Sequence, residues 1–207
     1  NVITKIKYGF EPSAIAVGMG IGTQPDTVAA LSTLFKEARC PMVIDADAIN
    51  CLANHEALLK VLPELSVLTP HPGELERLVG EWKDDYEKLE KTKAFAKKYN
   101  VIVVIKGANT VVVIENRLYI NTTGNPGMAT GGTGDVLSGM IVGLLSQGYD
   151  PLIASVFGVY LHGSAGNLVT QDLGFEALMA HDVIENIGAS FLELFAPDQT
   201  EQETKNA

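Results

Sequence analysis

Apolar positions fall in two rhythms along this chain. Short aliphatic and β-branched runs at residues 14–17, 41–45, 65–69 and 101–105 predict buried strands. The last, Val101-Ile-Val-Val-Ile105, has no polar alternation, as expected of a central parallel strand covered on both faces. Between them the period lengthens. Residues 26–39 put Val28, Leu31, Leu34 and Phe35 on one helical face, and 55–62, 72–79 and 86–99 predict further helices, with Pro72 suited to a first turn. Residues 110–114 and 117–120 read as two strands around Glu115-Asn116, a two-residue hairpin without the usual glycine. Three apolar helices follow, at 134–147, 151–170 and 180–194, and no segment repeats. Strand–helix alternation predicts an α/β fold, a mostly parallel sheet with helices on both faces. Residues 1–196 form one domain in this reading, and the polar stretch 197–207 is a disordered tail.

Composition narrows the partners more than the fold. The 207 residues, 46% hydrophobic and 19% charged, suffice for a full core. A net charge of −10 argues against nucleic acid or an acidic membrane surface as a partner. An anionic ligand would then be held by local devices: helix ends, single lysines, a bridging cation. Cys40 and Cys51 have neither metal nor redox spacing and lie in apolar surroundings, so buried thiols in a reducing, cytoplasmic setting are expected rather than a disulfide. No unbroken apolar stretch has the length of a membrane span, and no signal-peptide pattern opens the chain. The chain begins at Asn1 and reads as a piece of something longer.

The richest chemistry lies in Asn125-Pro-Gly-Met-Ala-Thr-Gly-Gly-Thr-Gly-Asp135, just before an apolar helical run. Free backbone N–H groups at a helix start bind anions, and glycines let that backbone approach a phosphate closely. Asp135, beside such a hole, is placed to take a proton while the hole holds negative charge. The bland alternative is a glycine-rich turn with Asp135 as a cap.

Four other polar motifs fall at strand ends, where open parallel sheets bind ligands. Gly18-x-Gly20-x-Gly22 allows either a close ligand approach or only a tight turn. Asp45-Ala-Asp47 sets two carboxylates within reach of a cation or polar ligand, with helix capping by Asp47 as the alternative. Thr69-Pro-His71-Pro-Gly-Glu74 presents an imidazole between two prolines, and Glu74 complements a helix dipole. Lys106-Gly-Ala-Asn-Thr110 places a cation and bare backbone where a nucleotide can lie. His55, His162 and His181 have no such context and are expected to be structural or superficial.

Taken in order, Asp45-Ala-Asp-Ala-Ile-Asn50, Leu68-Thr-Pro-His-Pro-Gly-Glu74, Lys106-Gly-x-x-Thr110 and the run from Asn125 to Asp135 resemble the ADP/ATP-dependent NAD(P)H-hydrate dehydratase family over residues 14–195. The resemblance implies a ribokinase-like fold. It implies phosphorylation of the ring hydroxyl of hydrated NADH or NADPH by ADP or ATP, with Mg²⁺, followed by loss of phosphate. It implies Asp135 as the catalytic acid–base residue, with Gly20, His71, Asn125 and Asp135 at the substrate. Lys106, Gly107, Ala108, Asn109 and Thr110 would bind the nucleotide together with Gly131, Gly132, Thr133 and Gly134, and Glu74 would lie near the metal. Assembly into homo-oligomers and fusion to an N-terminal epimerase domain are further expectations from the family, whose usual N-terminal part has no counterpart here. A small-molecule kinase of the same fold, acting on a hydroxyethylthiazole or hydroxymethylpyrimidine, is the competing reading. A catalytically silent nucleotide-binding subunit is a third.

Overall fold

The computed structural model describes residues 3–196, so the expected tail at 197–207 lies outside the described residues. Six strands form one sheet in sequential order: β1 (Ile15–Val17), β2 (Met42–Ile44), β3 (Val67–Leu68), β4 (Ile102–Ile105), β5 (Val111–Ile114) and β6 (Arg117–Ile120). The pairs β1–β2, β2–β3 and β3–β4 are parallel, while β4–β5 and β5–β6 are antiparallel. The expected hairpin is present. Ile114 pairs with Arg117, and Glu115 supplies the positive φ (49°) that glycine more often provides.

The two-residue period of the strands sorts the core into two layers. Met42, Ile44, Leu68, Val103, Ile105 and Val113 face α1 (Pro25–Glu37), α2 (Ala46–Asn54), α3 (Glu56–Leu59), α4 (Pro72–Val79) and α5 (Asp85–Tyr99). Val43, Val67, Ile102, Val104 and Val112 face α6 (Thr133–Ser146) and α7 (Pro151–Leu173). The strands therefore read as continuous apolar runs because both faces are covered. The final helix, α8 (Ala180–Phe195), packs on α7 and α6.

One expectation needs correction. The stretch after β2 is a helix from Ala46 onward, capped by Asp45 rather than Asp47, with Asp45 Oδ1 accepting from the Ala46 N–H at 2.8 Å. That helix takes up the chain as far as Asn54, and His55 breaks it, which leaves α3 only four residues. The longest helix, α7, includes a window of mean hydropathy 1.3 and matches a membrane span in length and composition, although polar His162, Asn167, Gln171 and Asp172 interrupt it. Its placement against α6, α8, β4 and β5 explains that composition, since a helix covered on several sides is apolar nearly all round. Both cysteines are free. Cys51 is buried, and its thiol is pushed up first by burial and then by the charge of Asp47, whereas Cys40 is only half-buried.

Candidate active site

The carboxyl ends of β1 to β4 converge on the first turn of α6. Gly18, directly after β1, has φ of +134°, and a methyl group there would meet the Asp45 carbonyl oxygen at 1.8 Å. Only glycine lets the two strand ends come this close. The second glycine-rich motif is thus structural at its first position. Asp47 completes the turn by accepting from the Gly22 N–H at 2.8 Å, so its carboxylate serves the backbone. Gly20 lies exposed on this turn with φ of +65°.

Asp45 is 2% exposed and fully engaged. Oδ1 accepts from Lys106 Nζ at 2.9 Å and Oδ2 accepts from Ser138 Oγ at 2.8 Å, in addition to the Ala46 cap. Ser138 Oγ lies 3.3 Å from Thr69 Oγ1. One carboxylate thus ties the ends of β2, β3 and β4 to α6.

The His71 segment is a reciprocal cap. His71 Nδ1 accepts from the Gly73 N–H at 3.0 Å, and Glu74 Oε2 accepts from the His71 N–H at 2.9 Å. Glu74 Oε1 lies 3.4 Å from His71 Nε2, and the residue is 5% exposed. Glu74, expected near a metal, is thus occupied by the helix start. Among the described residues no group of three or more His, Cys, Asp or Glu side chains is arranged to hold a metal ion.

The glycine-rich loop begins with a 3₁₀ turn (Pro126–Met128) capped by Asn125, whose Oδ1 accepts from the Gly127 N–H at 3.0 Å while Nδ2 donates to Asn167 Oδ1 on α7 at 3.1 Å. Gly132 precedes α6 with φ of +92°, a conformation that turns the loop sharply into the helix. Thr133 Oγ1 lies 2.7 Å and 2.9 Å from the carbonyls of Met128 and Thr130 and folds the loop back on itself. No side chain at the Gly132 N-cap accepts from the first turn, whose N–H groups have no partner within the helix itself.

Two hollows flank that first turn. A cavity of about 520 Å³ is lined by His71, Lys106, Gly107, Thr110, Asn125, Thr133 and Gly134, among others. On the other side a more apolar groove of about 550 Å³ runs between α6, α7 and α8, and Asp135 lines it together with Met140, Ile184 and Phe191. The structure therefore brings most of the predicted nucleotide residues together. It also places His71 and Asn125, expected at the substrate, in that same cavity, and turns Asp135, exposed, toward the neighbouring groove. Gly20 is in neither lining.

His162 of α7, expected to be structural or superficial, also lines the cavity. Burial holds its imidazole down at about 4, against the opposing pull of a hydrogen bond to the Thr133 backbone, so the ring is neutral at pH 7. Its Nε2 is, among the described residues, the one buried side-chain polar atom lacking a partner. A lone histidine on an apolar helix gave no local signal of this placement. The polar stretch Asn121 to Gly124 was missed for the same reason, being short and without a motif.

Residues 9–188 match the family model for NAD(P)H-hydrate dehydratase. The chain belongs to this family. A bifunctional NAD(P)H-hydrate repair enzyme from Moorella thermoacetica is 42% identical over 84% of the chain and 34% of its own length. The ADP-dependent (S)-NAD(P)H-hydrate dehydratase of Bacillus subtilis is 36% identical over 82% of the chain and 60% of its own length. The chain thus spans about a third of the first relative and three-fifths of the second. A crystal structure of the B. subtilis ADP/ATP-dependent NAD(P)H-hydrate dehydratase, co-crystallised with ATP/Mg²⁺ and soaked with CoA, superposes with a TM-score of 0.78 at 31% identity, covering 92% of this chain and 68% of that one. A hydroxyethylthiazole kinase from Pyrococcus horikoshii shares the fold at 18% identity, with a TM-score of 0.71 over 84% of this chain and 70% of its own. The dehydratase family accordingly shows a ribokinase-like sheet here, with its polar motifs gathered at one end.

Proposed function

We propose that this chain carries out the ADP- or ATP-dependent dehydration of the 6S epimer of hydrated NADH or NADPH, restoring the reduced cofactor. The observation that carries this reading is the first turn of α6, with Lys106 and Gly134 on its cavity side and Asp135 on its groove side. A nucleotide in the cavity and a ring alcohol beside Asp135 would meet at that helix end.

The chemistry follows from the leaving groups. Hydroxide leaves poorly and phosphate leaves well, so the hydroxyl is first phosphorylated. Asp135 takes the hydroxyl proton while the oxygen attacks the terminal phosphorus and the nucleotide departs one phosphate shorter. The amides of Thr133 and Gly134 stabilise charge on the transferring group. The carbon–oxygen bond then breaks, phosphate leaves, and a proton is lost from the adjacent ring carbon to re-form the double bond. Magnesium supplies charge neutralisation on the nucleotide phosphates. The carboxylates of Asp45, Asp47 and Glu74 are all engaged by protein donors, which suits an ion carried by phosphates and water rather than one caged by side chains. Cytoplasmic action and self-association belong to the same reading, the latter supported by exposed Ile184, Leu192 and Phe195 on α8.

The full-length protein is tested with Mg²⁺, ADP or ATP and hydrated NADH. Return of dihydronicotinamide absorbance with release of phosphate is expected. Absence of recovery, alongside phosphorylation of a thiazole or pyrimidine alcohol, would replace this reading with the kinase one.

A further inference from the structure

We infer that Asp45 is a positioning residue that holds the Lys106 ammonium against the first turn of α6, where it meets the phosphates of the bound nucleotide. The inference rests on the nucleotide reading above and adds a residue to it.

Lys106 directly follows β4, and its N–H donates to the Pro70 carbonyl at 2.9 Å, which fixes its backbone at the cavity rim. The side chain is 21% exposed and spans from Asp45 toward the glycine-rich loop. A methyl group placed on Gly134 would lie 3.5 Å from Nζ, so the ammonium is in contact range of the α6 N-terminus. That site is electrostatically wrong for a cation, because the amino end of a helix carries partial positive charge. A flexible lysine left to itself would swing into water. What keeps it in place is the 2.9 Å contact with Asp45 Oδ1.

Asp45 is well suited to that task and to little else. Its oxygens accept from the Ala46 N–H, Lys106 Nζ and Ser138 Oγ, three of about four acceptor sites of a carboxylate. Ser138 sits on α6 one turn beyond Gly134, so the same carboxylate sets the helix and the lysine relative to each other. An ammonium has three N–H donors. One is spent on Asp45, and two remain for an anion in the cavity. Two positive partners, the helix end and the lysine, are thus assembled on one side of a phosphate by a single buried negative group.

The test is a double-mutant cycle on the full-length protein, with ADP and adenosine titrated separately. Asp45→Asn keeps the size and the backbone cap but loses the charge. It should weaken ADP about tenfold or more, the scale of losing a close charge partner, and leave adenosine unchanged. Lys106→Gln should do the same, and in that background Asp45→Asn should add nothing further. Ser138→Ala removes only one donor to the carboxylate and covers the case in which Asp45→Asn does not fold. It should weaken ADP more mildly, again without affecting adenosine and again only when Lys106 is present. Equal losses for ADP and adenosine, full additivity of the Asp45 and Lys106 changes, or tighter ADP binding in Asp45→Asn would each overturn this assignment while leaving the nucleotide site intact. Wild-type protein that binds no adenine nucleotide would overturn the functional reading as well.

Discussion

At the scale of single residues, two side chains and one glycine separate chemistry from scaffolding. Asp135 is the exposed carboxylate at the amino end of α6. Asp135→Asn is expected to lower kcat by about 10²–10⁴-fold, the usual scale for a general base, with nucleotide affinity nearly unchanged. Equal losses in both would mark it as a cap. His162 makes a different prediction. Its native pKa of about 4 lies below the ordinary 6.5, so the fold favours the neutral ring. That stability is full above pH 6.5 and is lost progressively as pH falls toward 4, by roughly 3 kcal/mol in all. Urea unfolding across that range should show the slope in the wild type and a shallower one in His162→Leu. Gly18→Ala should cost about 3–5 kcal/mol, because the new methyl group would overlap the Asp45 carbonyl. A midpoint shift of under 1 kcal/mol would show that the strand ends can separate.

At the scale of elements, helix starts do most of the site building. α2, α4 and α6 begin at the carboxyl ends of β2, β3 and, across the sheet, opposite β4, each with a different cap: Asp45, the His71–Glu74 pair, and Gly132. The family resemblance made Glu74 a candidate near a metal, and in the fold it is half of a capping box. Glu74→Ala is accordingly expected to reduce stability by about 1–2 kcal/mol through the lost cap. The Mg²⁺ concentration giving half-maximal activity should stay the same, and a large rise in it would return Glu74 to the metal. The hairpin β5–β6 was legible from two apolar runs and a two-residue gap. The α2 helix was not, since Asp45-Ala-Asp-Ala reads equally well as a ligand loop until the Ala46 N–H is seen to be capped.

At the scale of the whole molecule, the sheet is stiffest where it is covered twice. β2, β3 and β4 are fully or almost fully buried, whereas β6 is partly exposed at the sheet edge. Amide hydrogen exchange should therefore be slowest in β2–β4 and faster in β6, since local opening tracks burial. The site draws on both regimes. Lys106 and Asp45 stand on the rigid centre, while Asp135 lies on the face of α6 that lines an open apolar groove.

Local pattern alone determined the α/β class, most of the strands, the hairpin and the glycine-rich helix start. These follow from period, propensity and turn chemistry, which act over a few residues. Tertiary structure decided which candidates share a hollow. It put His71 and Asn125 beside Lys106, faced Asp135 the other way, brought His162 from an unremarkable helix into the cavity, and spent Asp45, Asp47 and Glu74 on protein donors. The reason is physical: a carboxylate's role depends on which donors reach it, and here the decisive donors, Lys106 and Ser138, come from elements 61 and 93 residues away along the chain.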